Sequence, residues 1–253
     1  MPLTRIPWAA LPSPSLTLRV CLAGSLIGCG TYRPVNQPLT RWDPTYGYRP
    51  THVQAERPMG DVLLILAFSG GGTRAAALSY GVLQELRDTQ ITVDGTPRRL
   101  LDEVDLITAV SGGSFTAAYY ALRGDRVFVD FEERFLRRNI QRTLILDLLR
   151  PKSWFLLASA SFDRSELAIE RYDREIFEGA TFADLEAARG PLVHINATDL
   201  TTGGAFTFIQ PQFDPICSDL SSFPVARAVA ASSAVPGIFS PIPLRNYAGQ
   251  CGY

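Results

Sequence analysis

The chain has 253 residues, enough for one large α/β domain with or without short appendages. It is 46% hydrophobic and 19% charged, which is typical of a globular protein with a sizeable core. The formal net charge of -1 provides no whole-chain argument for binding nucleic acid or an anionic membrane surface, and we expect no nucleic-acid partner.

The first 28 residues resemble a bacterial export signal. They carry positive charge at Arg5 and Arg19 and a short apolar core over 20–28, well below the about 20 apolar residues of a membrane-spanning helix. The core ends in the letters LIGC, which resemble the lipobox of bacterial lipoproteins. The resemblance implies a signal peptide over 1–28, a lipid anchor on Cys29, and a place in the bacterial cell envelope, at the periplasmic face of the outer membrane. A chance cysteine in an unstructured N-terminus is the alternative.

Residues 29–58 are rich in proline and poor in aliphatic residues. This composition favours an extended tether, which would hold the following domain away from a bilayer. The stretch also contains aromatic residues that could instead lie along the domain surface, and the sequence leaves both interpretations open. These aromatic residues are Tyr32, Trp42, Tyr46 and Tyr48.

Residues 59–253 alternate apolar runs with amphipathic stretches, and we predict one domain there. The predicted strands are 61–68, 104–110, 191–200 and 205–210. The first predicted helix begins at Thr73. Further helices are predicted over 112–122, over most of 130–178 with a break at Pro151, and over 224–235, where Pro236 and Gly237 end the last one. This alternation indicates the α/β class, with a mostly parallel sheet and helices on both faces. Ligands of such sheets bind beyond the carboxyl ends of the strands.

Three consecutive glycines, Gly70, Gly71 and Gly72, follow the first predicted strand and precede a helix. A Walker loop needs Gly-Lys-Ser or Gly-Lys-Thr after its glycines, whereas Thr-Arg follows here. A dinucleotide-binding fingerprint needs the spacing G-x-G-x-x-G, but the next glycine is Gly81. An anion-binding nest at a helix N-terminus and a tight turn without a ligand both remain open.

A second glycine-containing turn surrounds Ser111 in the sequence TAVSGGSF, between a predicted strand and a predicted helix. It is close to the G-x-S-x-G nucleophile elbow, in which a sharp turn raises the serine hydroxyl above the sheet. Ala109 replaces the first glycine of that pattern, and Gly113 provides the last. Acyl transfer from a serine develops a negative oxygen, which preorganised backbone amides stabilise. Together the two turns predict a serine nucleophile beside an oxyanion hole made by the glycine triplet.

Four blocks of the sequence, in this order, resemble the patatin-like phospholipase family, and more narrowly its bacterial lipoprotein members. They are SGGGTRAA (69–76), AVSGGS (109–114), INATDLTTG (195–203) and ASSAVPGIFSPI (231–242). The resemblance implies a patatin-like three-layer α/β/α fold with a mostly parallel central sheet. It also implies hydrolysis of phospholipid or other acyl-ester lipids, of the phospholipase A or esterase type, by a Ser-Asp dyad.

Carried onto this chain, the resemblance implies Ser111 as the nucleophile and Gly70, Gly71 and Gly72 as the oxyanion hole. Arg74 matches the basic residue that follows the glycines in the family. The dyad needs no cofactor and no metal, and the cysteines and histidines of the sequence show no metal-ligand spacing. The oligomeric state is not predicted.

The dyad aspartate of the family lies in an Asp-Gly-Gly or Asp-Gly-Ala motif downstream of the fourth block, and this chain departs from the family there. Its only Asp-Gly is Asp94-Gly95, which precedes Ser111 and is typical of a turn. No Asp or Glu follows Asp219. We therefore expect a domain incomplete at its C-terminus, which hydrolyses esters poorly or not at all because its serine lacks a base. The alternative is a non-enzymatic lipoprotein that keeps the fold for lipid binding or envelope interaction.

Two other side chains could act near Ser111. His194 follows Ser111 with aspartates between them, which is the Ser-Asp-His chain order of an α/β-hydrolase. His194 lies inside a predicted strand, however, and this position favours a packed, hydrogen-bonded histidine. Asp199 falls at the end of the same strand, and we predict it as a supporting residue of the site.

Two cysteines, Cys217 and Cys251, lie in the predicted domain. In an exported protein they could form a disulfide, and two free thiols are the alternative. A disulfide at this separation would stabilise the domain by roughly 3–4 kcal/mol in the chain-entropy model.

Overall fold

The computed structural model describes residues 34–51, 62–138, 164–235 and 239–253. The predicted signal peptide, Cys29 and the helix breaks predicted at Pro151 and Pro236 lie outside these residues. Within the described ranges no helix is both long and apolar enough to cross a membrane.

The elements follow the predicted alternation of strands and helices. The strands, in chain order, are β1 (Gln37–Pro38), β2 (Leu64–Phe68), β3 (Gln90–Val93), β4 (Thr96–Arg99), β5 (Val104–Val110), β6 (Leu192–Thr198), β7 (Ala205–Thr207) and β8 (Ser218–Asp219). The α-helices are α1 (Gly72–Asp88), α2 (Gly112–Arg123), α3 (Arg164–Tyr172), α4 (Phe182–Ala187), α5 (Gln210–Phe213) and α6 (Val225–Ser233). Two π-helical segments cover Val127–Leu136 and Asp173–Phe177. The four predicted strands and the helices predicted at 73, 112 and 224 are thus confirmed, with shifted ends.

The central sheet contains β2, β5, β6 and β7 in that order. β2 pairs with β5 and β5 pairs with β6 in parallel, whereas β7 is antiparallel to β6. The expected mostly parallel sheet of an α/β domain is therefore confirmed. Asp94 and Gly95 close the β3–β4 hairpin with φ of 50° and 75°, which confirms that this Asp-Gly forms a turn.

The described helices that pack on the sheet cover one of its faces. α2 packs against β5 and β6, and α6 packs against both β6 and α2, so these two helices lie on the same side. The topology explains the position of α2, because the chain moves from β2 to β5 to β6 in one direction, whereas α6 follows β7 and is placed by its contacts with β6 and α2. Right-handed crossovers made in one direction place their helices on one face. The other face leaves Ile65 51% exposed and Val110 44% exposed. The described residues thus supply one of the two predicted helical layers.

Helix α2 lies deep in the core, directly behind Ser111. Every residue from Gly112 to Ala121 is buried. The helix begins with two glycines and a serine, and such small residues let its first turn approach the sheet closely. Further along, Phe115 stacks on Phe135 with ring centroids 4.4 Å apart. This packing fixes the helix whose N-terminus carries the predicted nucleophile.

Residues 34–51, which we call the N-terminal strap, pack on the domain. Tyr48 is 1% exposed, and its hydroxyl accepts a hydrogen bond (2.7 Å) from a β6 amide. Arg49 forms a buried ion pair with Asp214, with 2.7 Å between the charged atoms. Of the two interpretations that the sequence leaves open for 29–58, these contacts support a stretch that lies along the domain and not a tether, for the part that the structure describes. Composition alone could not reveal the buried partners that hold this proline-rich stretch. Because these partners belong to the domain, the folded domain includes residues before 59.

Cys217 and Cys251 form a disulfide, which is one of the two alternatives that the sequence leaves open. The amide of Leu39 in the strap donates a hydrogen bond to the Cys217 carbonyl (2.7 Å), and that of Trp42 donates one to the Cys251 carbonyl (2.8 Å). The disulfide therefore joins the residue before β8 to the segment around Cys251, and the strap is bonded to both cysteines.

Candidate active site

The two glycine-containing turns predicted from the sequence meet at the carboxyl end of the sheet. β2 and β5 are neighbouring parallel strands, so the residues that follow them lie at the same edge. A Cβ atom placed on Gly70 would lie 3.3 Å from the Cβ of Ser111. One placed on Gly112 would lie 2.0 Å from the carbonyl oxygen of Gly72, closer than any side chain can approach. Glycine at these positions lets the turns touch, which brings the predicted nucleophile and the predicted oxyanion hole together.

Ser111 has a strained backbone, with φ of 53° and ψ of -119°. Residues with a side chain rarely adopt such a positive φ, and they keep it only where the surrounding structure enforces it. A strained strand-to-helix turn is the geometry expected of a nucleophile elbow. Ser111 occupies the N-cap position of α2, yet its side chain makes no capping hydrogen bond. The half-buried hydroxyl is therefore not used by its own helix.

The glycine triplet, Gly70 to Gly72, is exposed and leads into α1. Gly71 has φ of 142° and Gly72 has φ of 63°, values that glycine adopts without a steric penalty. None of the three amides donates a hydrogen bond to another described residue. Because α1 and α2 both begin at this edge, the positive ends of two helix dipoles lie beside the unpaired amides. The arrangement favours a negatively charged atom at this place.

A serine that the sequence analysis did not single out lies against Ser111. The Ser232 hydroxyl, in the last turn of α6, accepts a hydrogen bond from the Ser111 amide (2.8 Å). It donates one to the Asn196 carbonyl (2.6 Å) and shares a third with the Ser114 hydroxyl (3.0 Å). The available sequence signal was its position in the block 231–242, which contributes to the family resemblance but says nothing of a contact with Ser111.

The two predicted supporting residues have no hydrogen bond to Ser111 among the described residues. Arg74 is exposed in the first turn of α1. The Asp199 carboxylate accepts hydrogen bonds from the Thr201 amide (2.8 Å) and the Thr202 hydroxyl (2.8 Å), and so closes the turn after β6. These hydrogen bonds lower the pKa of Asp199 and keep it ionised within its own turn.

His194 lies in β6, as predicted, and pairs in register with Thr108 of β5. Burial lowers the pKa of its imidazole, and Nε2 is buried without a hydrogen-bond partner in the described ranges. The expectation of a hydrogen-bonded strand histidine is therefore wrong for this nitrogen. Thr108 lies inside β5, two residues before the strand ends, whereas Ser111 follows the strand. His194, which pairs with Thr108, therefore lies back from the sheet edge that carries Ser111. Among the described residues no imidazole or carboxylate has a hydrogen bond to the Ser111 hydroxyl.

The arrangement can support one kind of chemistry with its own groups. A hydroxyl free of its helix can attack an electrophilic carbon, and unpaired amides can stabilise the negative oxygen that this attack creates. The described ranges contain no cluster of three or more His, Cys, Asp or Glu side chains that could hold a metal ion.

Comparison with known proteins places this geometry in a family context. A sequence model described as patatin-like phospholipase matches residues 66–250, which include both glycine-containing turns, Ser111 and Ser232. Neither a curated protein nor a solved structure matches the chain significantly.

Proposed function

Because this chain belongs to the patatin-like phospholipase family, we propose that it is a lipid acyl hydrolase of the phospholipase A or esterase type, with Ser111 as its nucleophile. The observation that carries the proposal is the contact between the strained turn at Ser111 and the unpaired amides of Gly70, Gly71 and Gly72. These amides form the oxyanion hole in the proposed reaction. Phospholipid or another acyl-ester lipid is the proposed substrate.

In the proposed reaction the Ser111 hydroxyl oxygen bonds to the acyl carbonyl carbon while its proton passes to a base. The carbonyl oxygen becomes an oxyanion that accepts hydrogen bonds from the glycine amides. Each such donor is worth about 2.7–4 kcal/mol of barrier in other serine hydrolases. Collapse of the tetrahedral intermediate breaks the ester bond and releases the alcohol part of the lipid with the proton. Water then hydrolyses the acyl-serine and releases the fatty acid.

The base is the unassigned part of this reaction. In the family resemblance it is an aspartate of an Asp-Gly motif, whereas no carboxylate in the described ranges is bonded to Ser111. A serine without a base is a weak nucleophile. We therefore propose that this chain turns esters over poorly, although Ser111 and the glycine amides lie close together.

We also propose that the protein is an exported lipoprotein, held at the periplasmic face of the outer membrane by a lipid on Cys29. The LIGC sequence at the end of a short apolar core supports this proposal. Metabolic labelling with an alkyne fatty acid tests it: the wild-type protein should carry the label in the membrane fraction, and Cys29→Ser should abolish it. Equal labelling of the two proteins would contradict the anchor.

A fluorophosphonate probe tests the nucleophile without requiring turnover. Attack by Ser111 forms an oxygen–phosphorus bond and expels fluoride, so a slow reaction still leaves a stable label that mass spectrometry can locate. We expect the label on Ser111, and no such label in Ser111→Ala. Labelling of Ser111 no faster than labelling of the exposed Ser69 would overturn the proposal.

Two glycine variants form a matched pair for the oxyanion hole. Gly70→Ala should slow labelling about tenfold, because the new Cβ lies 3.3 Å from that of Ser111 and displaces the loop by a few tenths of an ångström. Gly81→Ala in the middle of α1 should label like wild type, because nothing lies within 4 Å of its new Cβ.

The absence of a bonded carboxylate at Ser111 among the described residues favours one second candidate, a non-enzymatic lipid-binding protein. The two candidates differ in a combined result. Binding of the Cys29→Ser protein to phosphatidylcholine vesicles without labelling of Ser111 supports lipid binding alone, whereas labelling that depends on Ser111 supports the hydrolase.

A further inference from the structure

The Ser232 hydroxyl has a complete set of hydrogen bonds, and their directions can be assigned. A hydroxyl has one proton to donate and two lone pairs to accept with. The Asn196 carbonyl can only accept, so it takes the Ser232 proton, and the Ser111 amide can only donate. The bond between the Ser232 and Ser114 hydroxyls must then run from Ser114 to Ser232. The Ser232 oxygen is therefore fully used, and its position is fixed from three sides.

These three bonds join elements that are distant in sequence. Ser232 belongs to α6, Asn196 to β6, and Ser111 with Ser114 to the turn and first residues of α2. The Asn196 carbonyl is itself held in place, because its side-chain amide donates to the Thr108 hydroxyl (2.9 Å) and its residue pairs in register with Val110. The Ser111 amide is thus bonded to an oxygen that cannot follow a local movement of the turn.

We propose that Ser232 is a positioning residue that holds the backbone of Ser111 in its strained conformation and so aims the nucleophile. A φ of 53° on a serine needs an external restraint to persist, and the 2.8 Å bond from its amide to Ser232 is such a restraint. The inference rests on the proposed function for its effect on reactivity, but the bond itself exists whether or not Ser111 attacks an ester.

The same bond limits where the oxyanion can be held. An amide that donates to Ser232 is not available to a substrate oxygen, so the Ser111 amide is excluded from the oxyanion hole. The amides of the glycine triplet have no partner among the described residues and remain available as donors. Ser232 thereby engages the Ser111 amide in holding the turn, while the glycine amides stay available to bind the oxyanion.

The neighbouring residue provides a matched control. The Ser233 hydroxyl donates within its own helix, to the carbonyls of Val229 (2.8 Å) and Ala230 (3.3 Å). Ser232→Ala and Ser233→Ala therefore remove the same atom from adjacent positions of α6, and only the first breaks the link to Ser111.

The rate of fluorophosphonate labelling at Ser111 is the first measurement, in the full chain. Ser232→Ala should slow it about 10- to 100-fold, as a small misplacement of a reacting group does. Ser233→Ala should label like wild type, and Ser232→Thr, which keeps the hydroxyl, should restore most of the rate. Equal rates for wild type and Ser232→Ala, an equal loss in both alanine variants, or no restoration by threonine would each overturn the proposal.

Hydrogen exchange of the residue 111 amide is the second measurement, and it does not depend on reactivity. In protein with ¹⁵N-labelled serine we expect this amide to exchange at least tenfold faster in Ser232→Ala than in wild type or Ser233→Ala. The bond uses the backbone of residue 111 and does not need its side chain. In uniformly ¹⁵N-labelled protein, Ser232→Ala should therefore speed exchange of this amide equally when it is added to Ser111→Ala. Unchanged exchange overturns the positioning role. If Ser232→Ala changes the exchange rate but Ser111 is never labelled in any of the proteins, the hydrogen bond to Ser232 holds the turn as proposed and only the hydrolase function is contradicted.

Discussion

Two regions of this protein treat their backbone amides in opposite ways. At the carboxyl end of the sheet, the amides of the glycine triplet have no partner among the described residues, and three residues with positive φ lie at Gly71, Gly72 and Ser111. Under the N-terminal strap, amides and side chains are paired densely. Asn36 alone bonds to the Ser218 hydroxyl and to both backbone groups of Arg245.

The two regions therefore differ in what their backbone groups do. One gains stability from its hydrogen bonds, and the other keeps donors without a protein partner. The strap region adds a buried ion pair and a disulfide to its paired amides. The turn at Ser111 contains backbone strain, which reduces stability, and the exposed glycine amides remain available for a ligand's negative oxygen. If this comparison is right, substitutions in the two regions should change stability and reactivity in separable ways.

Gly112→Ala should have the most severe effect, because its Cβ would lie 2.0 Å from the backbone carbonyl oxygen of Gly72. The two turns would have to separate, so we expect a loss of more than about 4 kcal/mol in the free energy of unfolding and no labelling of Ser111. Urea unfolding measures the first, with Gly81→Ala as the control that should gain about 0.5–1 kcal/mol. A stable Gly112→Ala protein would show that the turns are not in contact.

Arg49→Met should destabilise the strap region by about 3–5 kcal/mol, because it leaves the buried Asp214 carboxylate without its ion-pair partner. Arg99→Met is the control, since its ion pairs with Asp102 and Asp125 are partly open to solvent and should each be worth about 0–1 kcal/mol. The double variant with Asp214→Asn should recover part of the loss. Equal effects of the two arginine variants in urea unfolding would contradict a buried role for Arg49.

Loss of the disulfide should cost roughly 3–4 kcal/mol, which is the chain-entropy expectation for a loop of this size. The Cys217→Ala, Cys251→Ala double variant should show this loss in urea without a change in the initial rate of Ser111 labelling, because the disulfide lies in the strap region. Reduction of the wild-type protein should give the same midpoint as the double variant. A slower rate of Ser111 labelling without a loss of stability would show that the two regions are coupled, which would contradict the comparison.

Ser111→Gly should raise stability by about 1 kcal/mol while abolishing labelling, because glycine adopts a φ of 53° without the penalty that serine pays. Ser111→Ala should also abolish labelling but without this gain, since alanine keeps the strain. The difference between their unfolding midpoints measures the strain in the turn. No difference would mean that the turn relaxes freely.

The pH dependence of stability should show a small contribution from His194. Burial lowers the pKa of its imidazole below the ordinary value of about 6.5, so the unfolded chain takes up a proton before the folded chain does. The contribution is fully present above pH about 6.5 and is lost as the pH falls through the lower folded-state pKa. His194→Gln should flatten the urea midpoint between pH about 5 and 7 relative to wild type. Parallel profiles of the two proteins would contradict this effect of burial.

Local patterns in the sequence predicted a large part of the fold and of the candidate site. The apolar run at 104–110 and the helix behind Ser111 occur at the predicted places, because alternation and helix-start signals depend on neighbours in the chain. The meeting of the two glycine turns could also be predicted, since adjacent parallel strands end at one edge. The Asp-Gly turn followed from its own two residues.

Long-range partners could not be predicted in this way. The hydroxyl that holds Ser111 comes from a residue 121 positions later, and nothing in the local pattern distinguishes Ser232 from Ser233. The strap resembles a tether in composition because its high proline and low aliphatic content are local features, whereas its anchors, Asp214 and the β6 amide, are 165 and 145 positions away.

The amino-acid sequence by itself determined the four strands of the central sheet, the helices that follow β2 and β5, the glycines that permit two turns to touch, and the serine on the second turn. Only the tertiary structure decided that Ser232 restrains that serine, that the strap is part of the domain, that the two cysteines pair, and that the packed helices lie on one face. The reason is physical: backbone conformation and burial pattern are set by nearby residues, but a hydrogen bond, an ion pair or a disulfide needs two groups whose distance is known only once the whole chain is folded.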